Sequence, residues 1–223
     1  MPKLISNSRL LGLLLAALVT VALWQLPFGN FVLYPFTILA TWFHEMGHGL
    51  TAIFLGGRFE KLMVFSNGSG LAYHSGHLAL GTLGRALVSA GGLMGPPIAG
   101  AGLLLASRHR KSARLALFAL GLLLLLSTLI WVRSFYGWLM LPLLGFVILY
   151  LSLESNGRLQ MLSAQFLGVQ ACISSYQHLD YLFSHSATIG GRMMLSDTGR
   201  IALLLVLPHW FWGGLIALAS AFI

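Results

Sequence analysis

Two histidines and a glutamate form an HExxH pattern in residues 41–49, inside an apolar segment long enough to cross a bilayer. On a helix, His44 and His48 share one face, about 6 Å apart along the axis. Both imidazoles can therefore bind one Zn²⁺, and Glu45 lies beside them, where it can take a proton from water. Because the surrounding segment is apolar, the pattern predicts metal-assisted hydrolysis within a membrane.

The composition is typical of a membrane protein. Of the 223 residues, 57% are hydrophobic and 8% are charged, and the mean hydropathy is +0.86, whereas soluble domains carry about 25% charged residues. The net charge is +8, but the basic residues stand singly or in short loops between apolar runs, as membrane-flanking charges do. We therefore expect contact with a lipid bilayer and no nucleic-acid partner. The single cysteine, Cys172, excludes an intramolecular disulfide and a cysteine-rich metal site.

The apolar runs predict an all-α polytopic membrane protein with six to seven transmembrane helices. No repeat or linker divides the chain, so residues 1–223 are expected to form a single membrane-embedded domain. The first run lacks a small-residue cleavage site and is expected to be retained as a helix. The runs lie at about 10–28, 31–55, 78–106, 115–132, 135–153, 159–184 and 200–222.

The run at 78–106 leaves two possibilities open. Its Gly91-Gly92 and Gly95-Pro96-Pro97 are compatible with one kinked span or with two half-helices. Lys3 and Arg9 favour a cytoplasmic N-terminus, but the basic loop at 108–114 would then lie outside if the run is a single span. The orientation in the membrane therefore stays open.

One short β-hairpin is expected next to the metal site. Residues 58–65 and 71–74 flank Asn67-Gly68, which is a strong hairpin signal and forms the only convincing β element of the sequence. Because a hairpin has unpaired edges, it must lie in an aqueous pocket or at the interface. We expect its edge to hold an extended substrate by strand addition.

A polar stripe marks the segment 159–184. Lipid does not tolerate such a stripe, so it should face the bundle interior or a water-filled cavity. We therefore expect this helix to pack against the HEMGH helix, with Gln177 or Asp180 close to the two histidines. The stripe consists of Gln160, Ser163, Gln170, Ser174 and Gln177.

The third metal ligand must come from elsewhere in the chain, which has only five acidic residues. Glu60 lies in the hairpin and Glu154 at a loop edge, which leaves Asp180 and Asp197. Asp180 is favoured, because a carboxylate in a membrane-embedded helix is costly unless it is paired or binds a metal. Asp197 has a competing explanation, since either Ser196 or Asp197 can cap the last helix. Other possible ligands are His74, His77 and His178.

At this point the chain resembles the site-2-protease superfamily of intramembrane zinc metallopeptidases, in the compact form without a PDZ domain. The resemblance implies that His44, His48 and Asp180 bind zinc and that Glu45 activates water. The Asn-Pro-Asp-Gly-type motif that usually carries the aspartate is absent, and Pro97-Ile98 stands where an asparagine commonly follows the Gly-Pro motif. The stretches that carry the resemblance are His44-Glu45-Met46-Gly47-His48-Gly49, Gly56-Gly57, Gly70-Leu71, Ala90-Gly91-Gly92, Gly95-Pro96, residues 174–180 and Ser196-Asp197.

The function expected from the motif and the resemblance is zinc-dependent hydrolysis of a peptide bond in a membrane-anchored protein. The resemblance also implies an integral, multi-pass protein of the bacterial inner (cytoplasmic) membrane. The alternative is a non-proteolytic transporter or scaffold in which the His/Glu/Asp cluster binds a metal ion or a solute. Glu45 distinguishes the two, because hydrolysis needs a general base beside the histidines and transport does not. Substrate-binding residues, the oxyanion-stabilising group and the oligomeric state are not assigned by the sequence.

Overall fold

The computed structural model describes residues 7–177 and 179–223. Helices dominate it, as predicted, and two small antiparallel sheets complete it. The candidate ligand His178 lies outside the described residues. The elements in chain order are α1 (Asn7–Trp24), α2 (Gly29–Phe54), β1 (Arg58–Val64), β2 (Gly70–Ser75), α3 (Thr82–Ala106), α4 (Arg110–Ile130), α5 (Phe135–Leu153), α6 (Gly157–Gln177), α7 (Leu179–Phe183), β3 (Ser186–Ile189), β4 (Arg192–Leu195), α8 (Asp197–Leu204) and α9 (His209–Phe222).

Three helices within the described residues, α3, α4 and α5, are long and apolar enough to cross a membrane. A fourth span is added if α8 and α9, which are bent by 119° relative to each other, form one broken span. The predicted count of six to seven spans is therefore not confirmed. Helices α2 and α6 also have spanning length, with 26 and 21 residues, but the HEMGH residues and the polar stripe interrupt their apolar runs.

The region 78–106 forms one helix rather than two half-helices. Helix α3 continues through Pro96 and Pro97 without a break. It lies against α2 at the HEMGH motif, where glycines allow the two backbones to approach closely. A methyl group on Gly47 would lie 2.2 Å from the carbonyl oxygen of Gly91, and one on Gly92 would lie 2.2 Å from the His48 ring. A side chain at Gly47 would therefore separate the helices, and one at Gly92 would displace either the His48 ring or the helix.

The main hydrophobic core lies between α2, α4, α5, α6 and β1. Trp42, on the side of α2 that faces this core, is buried, and its indole N–H donates a 2.9 Å hydrogen bond to Ser127 Oγ on α4. This bond satisfies the polar atom of a large buried aromatic residue. Helix α2 is therefore held on one side by the core and on the other by α3, which fixes the orientation of the motif histidines.

The predicted hairpin is present as β1 and β2. Leu62 pairs with Ala72 and Val64 with Gly70. The outer edge of β1 is covered, because Leu62 N–H donates to Trp131 O at 2.8 Å and Val64 N–H donates to Ser134 Oγ at 2.9 Å. Because the N–H groups of Leu62 and Val64 point to this outer edge, their pairs with Ala72 and Gly70 are pairs without hydrogen bonds between the strands. The backbone groups of Gly70 and Ala72 therefore point away from β1.

A second hairpin, β3–β4, was not predicted, so the expectation of a single β element was wrong. Its turn is formed by Gly190 and Gly191, both with positive φ (55° and 80°). The tip reaches the first hairpin, where Gly190 N–H donates a 3.2 Å hydrogen bond to Ser69 Oγ. With strands of only four residues each, the alternating pattern was too short to recognise.

Candidate metal centre

The two histidines of the HEMGH motif meet one carboxylate. His44 Nε2 and His48 Nε2 lie 3.0 Å apart, and Asp197 Oδ2 lies 3.0 Å from the first and 3.3 Å from the second. Asp197 is the first residue of α8, 153 positions from His44. Three potential ligand atoms from two distant segments therefore converge on one point.

The hydrogen bonding of His48 is that of a metal-binding imidazole. Its Nδ1 lies 2.8 Å from the carbonyl oxygen of Val88 on α3. A carbonyl oxygen only accepts, so Nδ1 carries the proton. In the neutral ring, the lone pair is then on Nε2, directed at His44 and Asp197. The backbone of α3 thus orients one ligand on α2.

The donor set fits a divalent metal ion. Two imidazole nitrogens and one carboxylate oxygen form the three-residue set typical of catalytic zinc sites. A tetrahedral ion with bonds of about 2.0–2.1 Å holds its ligand atoms about 3.3 Å apart, close to the separations of 3.0–3.3 Å in this cluster. A cation at the centre would attract both imidazole nitrogens and the carboxylate oxygen, which would explain why these three atoms lie so close together.

The carboxylate at the cluster is Asp197 and not Asp180, which corrects the preference for Asp180. Asp180 is exposed in the first turn of α7. Ser196 is the N-cap of α8, since its Oγ accepts a 3.0 Å hydrogen bond from Gly199 N–H. Because Ser196 performs the capping, the Asp197 side chain is left to point at the histidines. Helix capping, the competing explanation for Asp197 in the sequence, therefore applies to Ser196 only.

Tyr181 was not singled out from the sequence, although it directly follows Asp180. Its hydroxyl donates a 2.9 Å hydrogen bond to Asp197 Oδ2, and its ring centroid lies 6.2 Å from that of His44. Burial, and next the negative charge of Asp197, raise the pKa of the Tyr181 hydroxyl well above its ordinary value. The hydroxyl therefore stays protonated and acts as a donor to the carboxylate.

Glu45 is buried directly beneath strand β2. Its carboxylate lies near the backbone N–H of Ala72, and a methyl group on Gly70 would lie 2.7 Å from its Oε1. Glycine at position 70 thus leaves space for the carboxylate beside the strand. The glutamate, the histidines and Asp197 all border the same cavity.

That cavity has a volume of about 340 Å³, within the range of about 300–1,000 Å³ usual for ligand sites. Its walls come from α2, α3, the β1–β2 turn with β2, one residue of α6, α7, the β3–β4 hairpin, the start of α8, and α9. Of the stripe residues whose side chains are described, only Ser174 lines it. Gln160 and Gln170 are instead buried in the bundle, where they donate to Ser152 O at 2.8 Å and to Thr20 Oγ1 at 2.5 Å. The stripe therefore mainly satisfies the bundle interior, one of its two predicted locations.

The remaining candidate ligands do not join the cluster. His74 lines the cavity, and burial, followed by the charges of His48 and Arg200, lowers the pKa of His74. Within residues 7–177 and 179–223, the only group of three or more metal-ligating side chains is His44, His48 and Asp197. The side chain of Gln177 is not described, so its predicted proximity to the histidines stays a prediction. The others outside the cluster are Glu60, His77 and Glu154.

Comparison with known proteins identifies the family of the chain. The profile of the Peptidase M50B-like family matches residues 13–223. No curated protein matches the chain, and no solved structure matches it. The match confirms the resemblance carried by the HEMGH, glycine and Ser196-Asp197 motifs. A profile that extends over nearly the whole chain leaves no doubt about its family: the chain belongs to the Peptidase M50B-like family, within the membrane-embedded metallopeptidases of the site-2-protease type.

Proposed function

We propose that the protein is a zinc endopeptidase that hydrolyses a peptide bond of a membrane-anchored protein. The observation that carries the proposal is the convergence of His44, His48 and Asp197 at 3.0–3.3 Å beside a buried glutamate. Zinc held by these three residues would supply an electrophile that acidifies water and polarises a peptide carbonyl.

Glu45 is the general base in this proposal. It is adjacent to His44 in the sequence and borders the cavity, so its carboxylate can take the proton of the attacking water and return it to the leaving amine. The nearby Ala72 N–H would orient the carboxylate. A transporter or scaffold has no need of a base held in this way, which favours hydrolysis over that alternative.

Strand β2 offers the place for an extended substrate. The outer edge of β1 is covered by residues 131–134, whereas Gly70, Leu71 and Ala72 of β2 line the cavity. A peptide that pairs with this edge would pass directly over Glu45. Pairing in extended form also exposes the peptide bonds that a helical substrate hides.

Metal analysis of purified variants tests the proposal. We expect one zinc per chain in the wild type, loss of stoichiometric zinc in His44→Ala, His48→Ala and Asp197→Asn, and full zinc in Asp180→Asn, the matched control.

Glu45→Gln should retain zinc and lose cleavage of single-span peptides in lipid nanodiscs, with products read by mass spectrometry. Equal zinc in the wild type and a His44→Ala/His48→Ala double variant would exclude the site. Undiminished turnover by Glu45→Gln would exclude the base and favour the transporter or scaffold.

A further inference from the structure

Arg200 is distinct from the other arginines of the protein. Among the arginines whose side chains are described, it alone is half-buried, and the others are exposed. It lines the cavity that contains the metal cluster. It follows Asp197 by three residues on α8, which corresponds to a rise of about 4.5 Å along the helix axis. Arg200 therefore lies within one helical turn of a metal-binding carboxylate.

No acidic residue neutralises Arg200, although all five acidic residues of the chain are described. The ion pairs found in the described residues all involve Asp197 and the two histidines. Glu45 is buried on α2, and Asp180 is exposed on α7. Glu60 and Glu154 accept hydrogen bonds from neighbouring serines.

Hydrogen bonding does not occupy the Arg200 side chain either. Within residues 7–177 and 179–223, the Arg200 side chain forms no hydrogen bond, whereas its backbone N–H donates to Ser196 O. The exposed residues Arg110 and Arg133, by contrast, donate to backbone carbonyls at 2.6 and 2.7 Å. A half-buried guanidinium that faces a cavity with all its donors free is costly, and such a group indicates a ligand of opposite charge.

The other side chains of the cavity add no charge that pairs with Arg200. His74 on β2 faces the same cavity, and Arg200 is close enough to contribute to its lowered pKa. Of the negative groups of the cavity, Asp197 is paired with the two histidines, and neither Asp197 nor Glu45 forms an ion pair with Arg200. A guanidinium presents a planar fork that matches a carboxylate in bidentate fashion. The unpaired guanidinium of Arg200 is therefore suited to bind a carboxylate.

We propose that Arg200 binds a carboxylate of the peptide substrate and thereby selects where the chain is cut. The proposal rests on the peptidase function proposed above. A paired substrate strand advances about 3.3 Å per residue, and Arg200 is about one helical turn from Asp197. The selected carboxylate therefore belongs to a residue within about two positions of the cleaved bond. It is either an acidic side chain or the C-terminal carboxylate of the substrate.

Peptide selectivity tests this subsite. A neutral parent peptide is compared with one that carries glutamate near the cleaved bond, and with truncated forms that end there as free acid or as amide. We expect wild-type kcat/KM to be about tenfold higher for a carboxylate peptide than for its neutral partner, as a charged hydrogen-bonded pair provides. Arg200→Gln should reduce the ratio to about one, and Arg200→Lys should restore part of it. The exposed Arg192→Gln, the matched control, should keep the wild-type ratio.

Binding to the Glu45→Gln protein separates this subsite from the proposed catalysis. Fluorescein-labelled peptides of the same set should bind this protein about tenfold more tightly when they carry the carboxylate, and the preference should vanish in Glu45→Gln/Arg200→Gln. Preferential binding with no cleavage of any peptide by the wild type would refute the peptidase and retain the subsite. A wild type without carboxylate preference, or an Arg200→Gln variant that keeps it while zinc content is normal, overturns the subsite. If the glutamate peptide is preferred, the bound carboxylate is that of a side chain. If the free acid is preferred over the amide, the bound carboxylate is that of the peptide C-terminus.

Discussion

The hydroxyl of Tyr181 forms two hydrogen bonds with Asp197, one with its carboxylate and one with its backbone N–H. Tyr181 O–H donates a 2.9 Å hydrogen bond to Oδ2, and the backbone N–H of Asp197 donates back to the tyrosine oxygen at 3.3 Å. This pair fixes the oxygen that faces both histidines and joins the short helix α7 to the start of α8. Groups that orient a metal ligand in this way contribute to affinity without touching the metal.

Replacing Tyr181 with phenylalanine should therefore weaken metal binding. The Asp197 carboxylate loses the donor that holds Oδ2, so we expect affinity for zinc to fall about 10- to 100-fold, as other changes to such orienting groups do. Competition with a chromophoric chelator measures the change. Tyr150→Phe, at an exposed position of α5, is the control and should bind zinc like the wild type. Unchanged affinity in Tyr181→Phe would mean that the cap at Ser196 alone orients Asp197.

Gly92→Ala should damage the same site from the side of α3. The added methyl group would lie 2.2 Å from the His48 ring, so either the ring or the helix must move. We expect a loss of about 1–3 kcal/mol of stability, as for other overpacked positions, together with reduced zinc content. Gly102→Ala on the same helix has no atom within 4 Å of the new methyl group. It should be neutral or stabilise the helix by up to about 1 kcal/mol. Thermal unfolding and metal analysis of both variants check the pair.

Local pattern explains which parts of the protein could be predicted from the sequence. His44 and His48 are four residues apart on one helix, and the hairpin around Asn67-Gly68 lies within residues 58–75, so short-range spacing sufficed for both. Asp197 reaches His44 across 153 positions, a contact set by the packing of α3, α7 and α8 rather than by spacing. Two neighbours of Asp197 were the available signals in the sequence. Ser196 can cap the helix in its place, and Gly199 indicates close packing, since a methyl group there would lie 2.2 Å from His185 O.

Two further features depended on tertiary context. The polar stripe of α6 correctly indicated a face that avoids lipid. Glutamine and serine can either line a cavity or form buried hydrogen bonds, however, so the sequence did not show that Gln160 and Gln170 are buried in the bundle. Arg200 stands out only once the cavity is known, because a lone arginine near the start of a helix is usually exposed. In both cases the residue type was visible in the sequence, whereas its surroundings were not.

Removal of the metal should destabilise the protein, because the cluster joins α2 to α8. An ion that binds only the folded state stabilises it by about 4 kcal/mol at a concentration 1,000 times its Kd. We therefore expect chelator treatment to lower the unfolding temperature and added zinc to restore it. The His44→Ala/His48→Ala protein should show neither response. Equal responses in that double variant would place the stabilising metal elsewhere.

Ala72→Pro should separate metal binding from turnover. Ala72 faces Leu62 in a pair whose backbone groups point away from each other, so a proline there removes no bond between β1 and β2 and is tolerable at a strand edge. It does remove the N–H near Glu45, which in our proposal either orients the carboxylate or, once a substrate strand is added, donates to that strand. We expect full zinc content and a loss of cleavage of at least about tenfold, since a bond to a charged group contributes about 1.5–3 kcal/mol. Ala72→Val, which keeps the N–H, should retain most activity. If the proline and valine variants cleave equally, the backbone of β2 neither orients Glu45 nor binds substrate.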